Sequence, residues 1–258
     1  MRLALCLYGL VGSLDGKSGY FESSKLESLR LGAEYWKRFF IDRYDTDVYI
    51  HSWEVDIKKD ITKAYNPKKI LFEKQRTFNV PDYILGTEKR KQNHYSRWYS
   101  QMMSYHLLKE AASDGAKKYN FVMSARFDIA WKRNIYLKDL NPNIIYYPGK
   151  KKNNHKISDL WFISSPKNMS KFCNLYTHLD NYCLPPKKIQ KYKNNKLIET
   201  WDKGQTCSTN KLLGISSHRL AIYHMRKLGI ESSPLLWQSE DPYNSDFAVI
   251  RDIHGEKK

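Results

Sequence analysis

The segment Val122-Met-Ser-Ala-Arg126-Phe-Asp128-Ile-Ala-Trp131 carries the sharpest pairing of opposite charges in the chain. The apolar run before it predicts a buried strand over Tyr119–Ala125 that leads straight into Arg126 and Asp128. Residues two apart in extended backbone point the same way. A guanidinium and a carboxylate projecting together from a rigid strand end can do defined chemistry. The carboxylate can hold a divalent cation or a sugar hydroxyl, and the planar guanidinium fork can meet a diphosphate. The same pair can equally form a strand-end ion pair or cap a turn. A second constellation is Arg97, Gln101 and Ser104, spaced i, i+4 and i+7 on one face of a helix. That stripe reads either as a pocket wall or as a solvated face. Trp131 and Trp161 are able to stack on sugar rings, although burial is the commoner fate of tryptophan.

Other reaction classes lack their residues. The sequence has no GxxxxGK[ST] loop, no GxGxxG after the first strand, no HExxH and no GxSxG. Its four cysteines (Cys6, Cys173, Cys183 and Cys207) include no CxxC pair, which argues against a disulfide scaffold and a structural zinc site. Only Cys207 lies in a polar segment, and no base marks it as a nucleophile. Reduced cysteines and the lack of a membrane-length apolar run make the cytoplasm the default location.

The elements that must position these groups read as alternating strands and helices. Residues 2–8 are continuously apolar up to Gly9, as in a central strand covered on both faces. Ser24-x-x-Glu27 predicts a capping box opening a helix over 24–41. Asp47–Trp53 reads as a second strand, and 56–92 as basic and irregular apart from a short strand near Ile70–Phe72. A long helix is predicted over 93–113. Strands follow near Ile144–Tyr147 and over Asp159–Ile163, then a helix from Ser165-Pro166 to about Tyr182. Ser217 reads as the cap of a helix ending at Gly229, and Phe247–Arg251 as an edge strand. This alternation predicts one α/β domain over 1–258 with a mostly parallel sheet, and ligands beyond the carboxyl ends of its strands.

The chain has 258 residues, 41% hydrophobic and 14% aromatic, which suffices for a substantial core. Forty-four Lys and Arg against 27 Asp and Glu give a net charge of +17, which favours polyanions without choosing among them. Nucleic-acid binding is therefore an alternative, with 19 tyrosines available for stacking. It ranks second, because the lysines gather in two late loops, Lys150–Lys156 and Lys187–Lys196, and no RRM, KH or zinc-knuckle signature occurs.

The ordered pieces Leu3–Gly9, Asp47–Trp53, Arg97–Ser104, Ser124-Ala-Arg-Phe-Asp128, Ser158–Ser164 and Ser217-His-Arg-Leu span nearly the whole chain. Their order and spacing resemble small glycosyltransferases of the GT-A fold, of the kind found in large DNA viruses and bacterial polysaccharide clusters. The resemblance implies a GT-A-like, Rossmann-like sheet and a nucleotide-diphosphate sugar donor, with a glycan or other hydroxyl as acceptor. It also implies Mn²⁺ or Mg²⁺ on the diphosphate, normally held by Asp-x-Asp, where this chain has Arg126-x-Asp128. Either Arg126 replaces part of the metal's charge, or Asp128 binds metal with a late histidine, His218, which otherwise reads as exposed or helix-capping. By the same resemblance, Tyr8, Gly9 and Val11 would hold the nucleotide and Arg97 a phosphate. Asp159 would be the base on the acceptor side or a hydrogen-bonding group there, and Trp161 would face the acceptor. A degenerate transferase that only binds sugar is a further alternative.

Overall fold

The apolar run at the start of the chain becomes β1 (Arg2–Gly9), and every residue from Leu3 to Tyr8 is buried. The strand period divides its side chains between two cores: Leu3, Leu5 and Leu7 enter one, Ala4 and Cys6 the other. In this computed structural model, residues 1–14, 22–113, 118–150, 157–184, 188–193, 196–201 and 215–255 are described. The chain continues through α1 (Glu22–Trp36), β2 (Asp45–Ser52), α2 (Lys58–Tyr65), β3 (Lys69–Phe72) and α3 (Glu88–Ser113). Next come β4 (Phe121–Arg126), β5 (Ile129–Trp131), β6 (Ile145–Lys150), β7 (Trp161–Ser164), α4 (Pro166–Phe172) and α5 (Leu179–Tyr182). It ends with β8 (Lys188–Lys193), β9 (Lys196–Trp201), α6 (Ser217–Lys227), β10 (Ser232–Gln238), β11 (Phe247–Val249) and α7 (Ile250–His254).

Seven strands form one sheet in the order β10-β6-β7-β4-β1-β2-β3. All run in one direction except β7, which is antiparallel to both its neighbours. The mostly parallel α/β architecture read from the sequence is therefore present. The chain steps outward from β1 to β2 and β3, then returns to place β4 on the other side of β1. The strand order reverses there, so a crevice opens beyond the carboxyl ends of β1 and β4. The core on one face contains Leu29, Ala33 and Trp36 of α1 with Ile61 and Tyr65 of α2. The core on the other contains Trp98, Tyr105 and Leu108 of α3 with Met169 of α4 and Leu220 of α6.

Several elements depart from the sequence reading. Ser24 lies inside α1, which begins at Glu22, and its hydroxyl accepts the Leu14 N–H at 2.9 Å. Residues 58–65, read as irregular, form α2, whose apolar seam Ile57, Ile61 and Tyr65 is buried amid lysines. Helix α3 starts five residues before Asn93. Ser216, not Ser217, stands at the N-cap of α6. The Ser165 cap is present, with its side chain accepting the Asn168 N–H and Pro166 in the first turn. Of the stretch Lys187–Lys196 read as a loop, residues 188–193 form β8 and pair antiparallel with β9, while Lys151–Lys156 and Cys207 lie outside the described residues. The final stretch is split: β11 pairs antiparallel with β5 in a separate two-stranded sheet, and α7 follows at once.

Trp161 does not reach an acceptor. Its ring is fully buried, 5.6 Å from that of Trp131 and 5.9 Å from that of Phe247, inside the core shared with α1. As the first residue of a buried strand it points into the sheet packing, and Trp131 shares that fate. Trp161→Ala should therefore cost about 3–5 kcal/mol of stability in urea unfolding. A cost near zero would place the ring outside the core.

Candidate functional site

The crevice at the reversal of strand order is a cleft of about 480 Å³. Its walls include Tyr8, Gly9, Gly12, Trp53, Gln75, His94, Arg97, Arg126, Asp128, Asp159 and Arg251. Gly9 leaves β1 at φ +93° and Gly12 follows at φ +83°, left-handed conformations that glycine adopts without strain. They turn the chain sharply across the carboxyl edge of the sheet. An added Cβ at Gly12 would sit 3.0 Å from Cβ and 3.2 Å from Oδ2 of Asp128, so the loop backbone packs directly on that carboxylate.

Arg126 and Asp128 project together, as their spacing predicts. The Arg126 Nε donates to Asp128 Oδ1 at 2.8 Å, and Nη2 donates to Oδ2 at 2.5 Å, a bidentate fork. Asp128 is 2% exposed, and a second guanidinium, that of Arg251, stands 3.8 Å from its Oδ2. Sequence reasoning missed Arg251 because it falls on α7, five residues long and too short to show a period. Asp128 and His218 do not converge on a metal site: the His218 Nδ1 stands 3.2 Å from Asp159 Oδ1 instead. Among the described residues, no three His, Cys, Asp or Glu side chains gather to hold a cation. The donor set around Asp128 does not fit a divalent ion, because its oxygens are taken by one arginine and approached by another.

Asp159 forms the centre of a second charged group. It precedes β7, and only because β7 runs antiparallel does the residue before a strand lie at the carboxyl edge of β4. The backbone register fixes it there, with the Arg126 N–H donating to the Leu160 carbonyl at 3.1 Å. Arg97 Nε lies 3.0 Å from Asp159 Oδ2, and Arg97 Nη2 donates to the Asp159 carbonyl and, at 3.0 Å, to the Tyr8 hydroxyl. The Arg97 guanidinium is packed over the Trp98 ring at 3.7 Å and near the Tyr8 ring at 5.5 Å. Burial favours the neutral form of Asp159, but the positive groups, Arg97 first and then His218 and Arg126, outweigh it and bring its pKa down to about 2. Burial pushes the Tyr8 hydroxyl up to about 12, so it serves as a hydrogen-bonding group and not a base.

Of the remaining expected residues, Gln101 and Ser104 line neither this cleft nor a solvated face. Both are fully buried; Gln101 accepts from Arg97 Nη1 at 3.3 Å and Ser104 donates to the Gln101 carbonyl. The Val11 side chain lies in the core and its carbonyl accepts from Ser28 Oγ at 3.0 Å, so it does not face the cleft. His94 and Trp53, given no role from sequence, do face it. His94 Nδ1 meets Ser217 Oγ at 2.5 Å, and burial holds its pKa down at about 4. Trp53 stacks on Tyr99 with ring centres 5.7 Å apart, which leaves an aromatic flank at the β2 end of the cleft.

No family model matches the sequence, and no curated protein matches it. Among solved structures the chain is similar to a nucleoside-diphosphate-sugar pyrophosphorylase from Vibrio cholerae RC9. The two share 9% identity over 96% of this chain and 95% of that one, with a TM-score of 0.46. No helix among the described residues is long and apolar enough to cross a membrane.

A carboxylate depressed from 3.8 to about 2 contributes stability that is fully present above its unfolded pKa and lost as the pH falls through its folded one. Asp159→Asn should thus be less stable than wild type at neutral pH. The gap in denaturant unfolding should close as the pH drops from about 4 towards 2. A gap that stays constant over that window would show that the Asp159 charge is not what stabilises the fold.

Proposed function

We propose that this chain is a glycosyltransferase that moves a sugar from a nucleotide-diphosphate sugar to a glycan or other hydroxyl acceptor. The observation that carries the reading is the placement of Arg97, Arg126 and Arg251 with Asp128 and Asp159 around one cleft at the reversal of strand order. Three guanidinium groups against two carboxylates make a wall suited to a doubly phosphorylated ligand. The Trp53 flank would receive the base. Tyr8 and Gly9, at the end of β1, would lie along the nucleoside.

In the transfer, the acceptor hydroxyl oxygen forms a bond to the anomeric carbon as the bond from that carbon to the phosphate oxygen breaks. The electron pair leaves with the diphosphate, whose growing negative charge faces the arginines. The hydroxyl proton goes to Asp159, the carboxylate of the cleft wall beside His218. Asp159, held at about 2, is a weak base, so it takes the proton late, once bonding to the anomeric carbon has made the acceptor O–H strongly acidic. Arg97 keeps Asp159 in place from the other oxygen.

A thermal-shift panel of UDP-, GDP-, CDP- and dTDP-sugars tests the reading. The correct donor at 100 times its dissociation constant should add about 2.7 kcal/mol of stability. Arg97→Ala should abolish most of that gain. A panel in which no nucleotide sugar shifts the transition would remove the transferase reading.

A further inference from the structure

The groups at the end of β4 are arranged against a cation and in favour of an anion. A divalent ion on Asp128 would have to displace a bidentate guanidinium from a carboxylate that is 2% exposed. It would then sit beside the Arg251 guanidinium, 3.8 Å from the same oxygen. Approach from the β1 side is filled by the backbone at Gly12. The histidine that could complete a ligand set is turned to Asp159.

An anion meets the opposite situation. Two guanidinium groups face the one buried carboxylate, and the second carboxylate beside them, Asp252, is exposed to solvent, so guanidinium N–H donors are left over at this corner of the cleft. Arg126 spends Nε and Nη2 on Asp128, while its Nη1 has no hydrogen-bond partner among the described residues and its side chain stays 34% exposed. Arg251 lies beyond hydrogen-bonding distance of Asp128 and, among the described residues, forms one other ion pair, with Asp252 at 3.5 Å. Both arginines line the cleft with N–H donors unspent. Phosphate oxygens are the acceptors that such planar, charged donors fit best.

We propose that Arg126, Asp128 and Arg251 form a metal-independent diphosphate subsite, in which two guanidinium groups stand where related chemistry uses a divalent cation. The inference rests on the donor reading above and sharpens it. Asp128 is here a positioning residue that aims the Arg126 fork and touches no ligand. Arg251 is the more loosely held of the two and closes on the phosphates from α7.

Isothermal titration with inorganic pyrophosphate and with UDP, GDP, ADP, CDP and dTDP, all in EDTA, tests it. Pyrophosphate and at least one nucleoside diphosphate should bind, and adding Mn²⁺ should change the affinity of that nucleotide by less than about threefold. Arg251→Gln should weaken both by roughly tenfold with the melting temperature unchanged, and Mn²⁺ should not restore binding. Arg126→Lys should also weaken both, because a point charge cannot replace the fork; if it fails to fold, Arg251→Gln decides. Nucleotide binding that appears only with Mn²⁺, or an Arg251→Gln variant that binds as wild type, would overturn the subsite and leave the donor reading standing. Pyrophosphate binding that needs Arg251, without any nucleoside diphosphate, would uphold the subsite and overturn the donor reading. Failure of all ligands with and without Mn²⁺ would overturn both.

Discussion

A carboxylate taken out of water needs a cation, and that requirement organises the carboxyl edge of this sheet. Asp128 is almost fully buried and Asp159 half-buried, and neither is left without a guanidinium. Arg97 comes from α3, Arg126 from β4, His218 from α6 and Arg251 from α7. Four separate elements are thus held to two carboxylates. Removing Arg126, the hydrogen-bonded partner of buried Asp128, should cost about 3–5 kcal/mol, because the carboxylate is left charged in a poor solvent, whereas Arg251 stands outside hydrogen-bonding distance of it. The walls of the cleft are in this sense part of the fold, and its electrostatics follow from its packing.

The second constraint is the direction of β7. In a wholly parallel sheet the residue preceding a strand lies at the amino edge, far from any ligand. The reversal of β7 puts Asp159 level with the end of β4, where Trp161 pairs with Ala125 and the Leu160 carbonyl accepts from Arg126. One antiparallel strand therefore joins the two charged groups into a single cleft. Asp159 and Arg126 are neighbours through backbone hydrogen bonding before any side chain is considered.

Much of this was legible in the chain itself. β1 and β4 announce themselves by unbroken apolar runs, α3 by its length, and the Arg126–Asp128 alignment by the two-residue period. Asp159, Arg97 and Tyr8, which the resemblance grouped, line one cleft, and each is close in sequence to a strongly patterned element. Trp161 was not, because whether an indole stacks on a ligand or on Trp131 and Phe247 depends on long-range packing. α2 was hidden by the lysines around its narrow seam, and Arg251 by elements of three and five residues that carry no periodic signal. The pairing of His218 with Asp159 joins residues far apart in the chain, and local pattern carries no record of it.

The stacking of Arg97 has a consequence for how the cleft meets a ligand. A free arginine loses on the order of 2 kcal/mol of rotamer freedom when it is immobilised. Clamped between the Trp98 and Tyr8 rings and tied to Asp159, Arg97 has surrendered that freedom at folding. A ligand arriving beside it finds the charge already aimed and need not order it again. The same clamp denies Arg97 the reach to follow a ligand that sits differently. In the donor reading proposed above, adaptation to ligands of unequal length would fall to Arg251, which lies 3.8 Å from Asp128, so that the cleft would have a rigid side that selects and a yielding side that accommodates.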